Sequence, residues 1–153
     1  MKYIINLSIC LLTMVFLTSC EEEDYTAPYG DFSSFTWWVS PTDTYNEIEK
    51  TVSINKYLAF KDLSRGAISH EWRIPKGSRF LNSNFKETDT IYTPFIIPNG
   101  GVVTSESIAY VLFTEVGVHE VQLVNTFEES VTGATNVEGT WKAEQTFTIT
   151  VID

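Results

Sequence analysis

Residues 57–75 read Tyr57-Leu58-Ala59-Phe60-Lys61-Asp62-Leu63-Ser64-Arg65-Gly66-Ala67-Ile68-Ser69-His70-Glu71-Trp72-Arg73-Ile74-Pro75. Leu58 and Phe60 alternate with polar or small neighbours and share one face of a strand. Beyond a short Arg-Gly turn, His70, Trp72 and Ile74 share one face, and Ser69, Glu71 and Arg73 share the other. Alternation with period two on both sides of a glycine-containing turn predicts two half-buried antiparallel strands.

The same pattern recurs outward from this stretch. On the N-terminal side, Phe35, Trp37 and Val39 alternate with Thr36, Trp38 and Ser40 until Pro41-Thr42-Asp43 breaks the strand. Residues 44–50 read as polar loop. Val52 and Ile54 alternate briefly before an Asn55-Lys56 turn. On the C-terminal side, Pro75-Lys76-Gly77 forms a turn, and residues 80–107 carry no clear period. Within them, residues 92–101 suit a short edge strand, because proline is tolerated only at edges and strand ends. Ile108 to Phe113 form the next apolar run, and Glu115-Val116-Gly117 a turn. Then His119, Val121, Leu123, Asn125 and Phe127 alternate with Glu120, Gln122 and Val124. Residues 128–139 read as a polar loop with two glycines, and Phe147, Ile149 and Val151 mark a last strand. No long helical pattern, heptad or internal repeat is present. About seven strands separated by turns predict an all-β antiparallel sandwich.

The N-terminus carries a different signal. Lys2 is a small positive n-region, Ile4 to Phe16 form a short apolar run, and Leu17-Thr18-Ser19-Cys20 ends it. The run is too short for a spanning helix, and Asn6 and Ser8 interrupt it. Leu-Thr-Ser-Cys resembles the lipobox of bacterial lipoproteins, which implies cleavage before Cys20 and acylation of that cysteine with chains of the palmitate kind. Glu21-Glu22-Glu23-Asp24 follows directly. Four consecutive acids repel one another and stay solvated. In this position they resemble the export signal of surface lipoproteins of the Bacteroidota type, an address that places the protein on the outer face of the outer membrane. More than one acyl chain would anchor it well beyond the marginal hold of a single chain. The division expected is therefore 1–19 signal peptide, 20–33 lipidated cysteine and acidic tether, and 34–153 sandwich.

Cysteine use and charge narrow the function. Of the two cysteines, Cys10 leaves with the signal and Cys20 carries lipid, so the folded domain has no disulfide, thiolate metal site or cysteine nucleophile. About 120 residues rich in aromatic and β-branched side chains suffice for a core of their own. Twenty acids against ten bases give a net charge of −10. A domain this acidic is repelled by nucleic acid and by anionic head groups, so no nucleic-acid partner is expected.

Thr51-Val52 through Leu58, Phe60, Asp62 and Ser64, then Trp72, then Gly117-Val118-His119-Glu120-Val121-Gln122-Leu123 together resemble a PKD domain. That resemblance spans residues 34–153 and implies an Ig-like β-sandwich used as a spacer or interaction module in bacterial surface proteins. Two departures stand out: Pro75-Lys76-Gly77 replaces the family's Gly-Asp-Gly type of turn, and the connection after it is long. Strand pairing between residues 77 and 108 is therefore open.

Few residues suggest chemistry. His70 and His119 share parity with core neighbours, stand where the family often places tyrosine, and are expected on adjacent strands. A metal site would need a third ligand, no His-x-His or spaced acid accompanies them, and two partly buried histidines is the reading taken. Asp62 and Ser64 lack a positioned base, and Asp-x-Ser at a strand end fits a turn cap. There is no Gly-x-Ser-x-Gly elbow or glycine-rich phosphate loop. Neither catalysis, metal nor cofactor is expected. Glu71, Arg73 and Glu120 are expected to form cross-strand ion pairs.

Aromatic residues are the better lead. Trp72 and Trp37 read as core. Trp38 points the other way, and either packs against the long 77–107 connection or offers a flat face for a sugar ring or a partner protein. Trp141, Tyr92 and Tyr110 are further candidates whose parity the sequence leaves open. The reading is a lipid-anchored, non-catalytic surface module with Trp38, Trp141 and Tyr92 as candidate ligand-binding residues. Its partners would be polysaccharide within an uptake system, or neighbouring envelope proteins if the domain is a spacer or protein-interaction module with no small ligand. The C-terminus falls right after the last strand, which suits a whole small lipoprotein or the N-terminal piece of a larger one.

Overall fold

A computed structural model describes residues 32–41, 46–86 and 88–153. Cys20, Glu21, Glu22, Glu23, Asp24 and the expected signal peptide lie outside the described residues. Within them the chain is a two-sheet β-sandwich of ten strands. The strands are β1 (Trp37–Ser40), β2 (Glu49–Ser53), β3 (Tyr57–Asp62), β4 (Ala67–Arg73), β5 (Ser78–Leu81), β6 (Val103–Thr104), β7 (Ile108–Phe113), β8 (Gly117–Phe127), β9 (Thr135–Val137) and β10 (Thr140–Ile152). One sheet runs β1-β3-β7-β5. The other runs β2-β10-β8-β4-β6, with β9 folded onto the start of β10.

The spine is the β8–β10 pair, in antiparallel register from Val151 opposite Gly117 to Trp141 opposite Phe127. Val121 and Leu123 on β8, and Phe147, Ile149 and Val151 on β10, turn inward and are almost wholly buried. Leu58 and Phe60 on β3, and Val111 and Phe113 on β7, answer them from the facing sheet. Among the described strands, only β2 runs parallel to its neighbour, β10.

The two strands of the 57–75 stretch form as expected, but they are not hydrogen-bonded to each other. β3 pairs with β1 and β7, whereas β4 pairs with β8 and β6. The Arg65-Gly66 turn carries the chain from one sheet to the other, and Phe60 meets Trp72 across the core at 5.7 Å between ring centroids. Alternation tells which side chains are inward, and inward faces on opposite sheets give the same pattern as neighbours on one sheet. Trp72 is fully buried, and Trp37 lies edge-on against Phe147 at 5.8 Å. Both are core residues, as their parity implies.

The uneven stretch after Trp72 has an order of its own. Gly77 takes φ +82°, a left-handed conformation, and its carbonyl accepts both the amide of Thr114 at 2.9 Å and the Thr114 hydroxyl at 3.0 Å. A Cβ there would stand 2.8 Å from the Glu115 carboxylate. Gly77→Ala is expected to lower stability by about 1–2 kcal/mol in urea unfolding, since it combines a positive φ with a close contact. An unchanged midpoint would contradict that role.

The edge strand expected in residues 92–101 is instead a 3-10 turn, Thr93–Phe95, followed by one isolated bridge from Ile96 to Leu81. Pro94 sits in the first turn of that 3-10 segment, where its missing N–H costs nothing. The polar loop expected over 128–139 contains β9, which joins β10 through Glu138 and Gly139, both at positive φ. Two consecutive left-handed residues are the conformation a tight two-residue hairpin needs.

Candidate functional site: a tyrosine-lined groove

β3 turns Leu58 and Phe60 inward, so Tyr57 and Ala59 must face outward, and Tyr110 on β7 stands beside Ala59 in register. Outward tyrosines on a sheet need a cover or they meet water. The connection after β5 supplies it. Asn82 Oδ1 accepts the Asn84 amide at 3.0 Å, and Asp89 Oδ2 accepts the Lys86 amide at 2.7 Å. These local bonds fold the segment back over the sheet. Phe85 then lies 4.7 Å from Tyr57 and 5.1 Å from Tyr110, Tyr92 lies 4.7 Å from Tyr57, and Phe95 lies 5.8 Å from Phe85. Tilted and edge-on contacts of this kind fix ring positions beyond simple burial. The Tyr92 hydroxyl donates to the Asp89 carbonyl at 2.7 Å, which holds that ring in place.

Beside this cluster, β1 stops at Ser40 and Pro41 while β3 continues back to Tyr57. The mismatch leaves a groove of about 670 Å³ between β3 and β2. Tyr57, Tyr92 and Tyr110 form its aromatic side; Ser40, Thr51 and Ser53 contribute hydroxyls; Lys50 and Lys56 are its charged residues. Among the described residues, no aspartate or glutamate lines it. Lys50 shares parity with Val52 and turns inward, its ammonium 2.7 Å from Glu47. An inward lysine on an edge strand also discourages strand addition. The Lys56 ammonium sits 6.0 Å from the centre of the Tyr92 ring.

No known protein-family model and no curated protein matches the chain. Assignment therefore rests on geometry.

Of the three predicted ligand-binding residues, only Tyr92 lines the groove. Trp38 is half-buried on the same outer face but opposite Lys61, four residues along β3 from Tyr57. At ~3.4 Å per residue that is roughly 13 Å away. Trp141 opens β10 in the other sheet and packs against a second small core of Phe127, Val131 and Ala143. The structure does not bring the three together. Tyr57 and Lys56 were not singled out from sequence, although the parity of Leu58 and Phe60 already turns Tyr57 outward.

The histidines stand at opposite ends of the sandwich. His70 is in register with Asn125, six residues along β8 from His119. His119 is buried; its Nε2–H donates to the Glu115 carbonyl at 2.8 Å, and its Nδ1 accepts from the Ser78 hydroxyl at 3.2 Å. Ser78 is fully buried, so this serine–histidine contact offers no hydroxyl to a substrate. His70 donates from Nε2 to the Ser105 carbonyl and holds Nδ1 3.8 Å from Asp62 Oδ2.

Asp62 and Ser64 cap their turn as expected. Asp62 Oδ1 accepts the Ser64 amide at 2.9 Å, while the Ser64 hydroxyl accepts the Thr36 amide at 3.1 Å and lies 3.2 Å from the Thr36 carbonyl. Asp62 also points inward, where Oδ2 accepts Asn125 Nδ2 at 2.9 Å. The cross-strand ion pairs expected for Glu71, Arg73 and Glu120 take another form. Arg73 pairs with Glu71 on its own strand, because the register sets Arg73 opposite Gln122.

Proposed function

We propose that this chain is a lipid-anchored, non-catalytic module of the cell surface, of the PKD kind, that captures polysaccharide in the groove beside Tyr57. The observation that carries this reading is the groove itself. It joins three positioned tyrosine rings to hydroxyls and ammonium groups, the mixture that suits a sugar with one apolar face and a polar rim. The lipobox-like Leu17-Thr18-Ser19-Cys20 and the acids after it support an anchor on the outer membrane facing outward. The chemistry-bearing side chains of the interior, Ser78, His119 and Asp62, are engaged with one another or with backbone, which supports a binding role over a hydrolytic one.

A second reading, a spacer that contacts neighbouring envelope proteins, is favoured by one feature. Ile97 and Val102 are exposed on one surface beside Phe80 of β5, an apolar surface of the kind protein partners cover.

Affinity electrophoresis of the full chain across a polysaccharide panel separates the two. Retardation by one glycan class, lost in Tyr57→Ala and kept in Trp38→Ala, is the expected result, with thermal melts to show that both variants fold. Loss in Trp38→Ala alone would move the site along the sheet. No retardation by any glycan would leave the spacer.

A further inference from the structure

The protein carries twice as many acids as bases, yet among the described residues the groove is lined by two lysines and no carboxylate. Uncharged hydroxyls would suffice to bond a neutral sugar, whereas a cation meets an anionic group with a stronger, charge-assisted contact. We propose that the groove selects acidic glycans, with a sugar carboxylate or sulfate received at Lys56 while the ring lies against the tyrosines; this inference rests on the glycan reading above.

The two lysines differ in what they can offer. Lys50 is already neutralised by Glu47 at 2.7 Å and its side chain is only 14 % exposed. Lys56 is exposed and makes no ion pair among the described residues. It follows Asn55, which takes φ +61° and so turns the chain sharply at the groove's mouth. The backbone at this turn is pinned to β7: Asn55 N–H donates to the Phe113 carbonyl at 2.8 Å, and Phe113 N–H donates to the Lys56 carbonyl at 3.1 Å. The base of the lysine is thereby held, while its four-carbon stem stays free to reach a ligand. Its ammonium hovers 6.0 Å from the Tyr92 ring centre, so one anionic group bound there would bring the attached sugar ring to the aromatic wall. An acidic polymer approaching a protein of net charge −10 is repelled at long range. Binding by this route therefore needs a local cation, and added salt has two opposing effects on it: it screens the repulsion and the Lys56 contact alike.

The test compares a polyuronate, a sulfated polysaccharide, an uncharged polysaccharide and poly-glutamate as a sugar-free polyanion, each titrated into the full chain, its Lys56→Met variant and its Lys56→Arg variant. Lys56 is exposed, so both variants should melt as the parent does. The expected result is binding of the polyuronate or the sulfated polymer, about tenfold weaker in Lys56→Met and restored in Lys56→Arg, as for one charge-assisted contact. Preference between the two acidic polymers identifies the anionic group. Equal or tighter binding of the uncharged polymer would overturn the selectivity while leaving glycan capture standing. Binding of poly-glutamate as tight as that of the acidic glycans would reduce the groove to a charge trap and overturn the proposal. Failure of every polymer would overturn both this inference and the glycan reading.

Discussion

Trp72→Ala should remove about 4 kcal/mol of folding stability, the largest single loss expected from any substitution in this protein. Its indole is fully buried between the sheets, with Phe60 at 5.7 Å and Phe147 at 5.9 Å, and those rings also touch each other at 5.5 Å. Truncation forfeits the transfer energy of the ring and leaves a cavity that the two remaining rings, wedged against each other, cannot close; large aromatic truncations of this kind cost about 3–5 kcal/mol. One feature tempers the figure. Trp72 Nε1 has no hydrogen-bond partner among the described residues, so the alanine also relieves an unsatisfied donor. A domain stabilised by about 5–15 kcal/mol would be close to its limit after such a loss. Urea unfolding of parent and variant reads the difference, and a loss below about 1 kcal/mol would mean that the sheets are not packed on this ring.

Asp62→Ala is expected to cost about 3 kcal/mol, although it removes little apolar surface. The Asp62 side chain is only 5 % exposed, and its two oxygens serve the Ser64 amide at 2.9 Å and Asn125 Nδ2 at 2.9 Å. Asn125 is itself fully buried, and its Oδ1 has no partner among the described residues. Removing the carboxylate leaves the amide group without its one described partner, and an orphaned buried donor costs more than a made hydrogen bond contributes. Asn125→Leu in the Asp62→Ala background should recover about half of the loss, because both ends of the broken contact are then apolar. A double variant no more stable than Asp62→Ala would show that the cost lies in the turn at Ser64 rather than in the buried pair.

The sequence announced the strands better than their partners. Period-two alternation around Phe60, Trp72 and Val121 marks inward residues, and every one of these three is buried. It is silent on which sheet an inward residue belongs to, and so the 57–75 stretch read as neighbouring strands when its turn crosses the sandwich. Glu138-Gly139 hid a hairpin for a different reason. Glutamate seldom takes the left-handed conformation, and the usual Asn-Gly or Asp-Gly signal was missing. The histidines share parity, as read, but parity does not fix distance along a strand, and six residues separate their positions on β8.

Within the candidate site, Tyr92 was legible only as an aromatic whose strand parity the sequence leaves open. Tyr110 was a further candidate, but Tyr57 and Phe85 were not. Tyr57, Tyr110 and Phe85 are separated in sequence by as many as 53 residues, and only the fold-back held by Asn82 and Asp89 brings their rings together. Trp38 drew attention for the right physical reason, an outward indole on a sheet, yet register places it about four residues from the groove. The lysine at position 56 looked like turn punctuation. Its meaning comes from the absence of acids among the described residues that line the groove, which no local reading of the chain can supply.

The central claim is that polysaccharide is captured at the groove between β3 and β2. Backbone amide shifts of the full chain, followed by NMR during titration with a glycan retained in the electrophoresis, test it most directly. The account predicts the largest changes at Lys56, Tyr57, Tyr92 and Tyr110, with Trp38 and Trp141 little affected. Changes centred on Trp38 or on Trp141, with the groove unmoved, would contradict it.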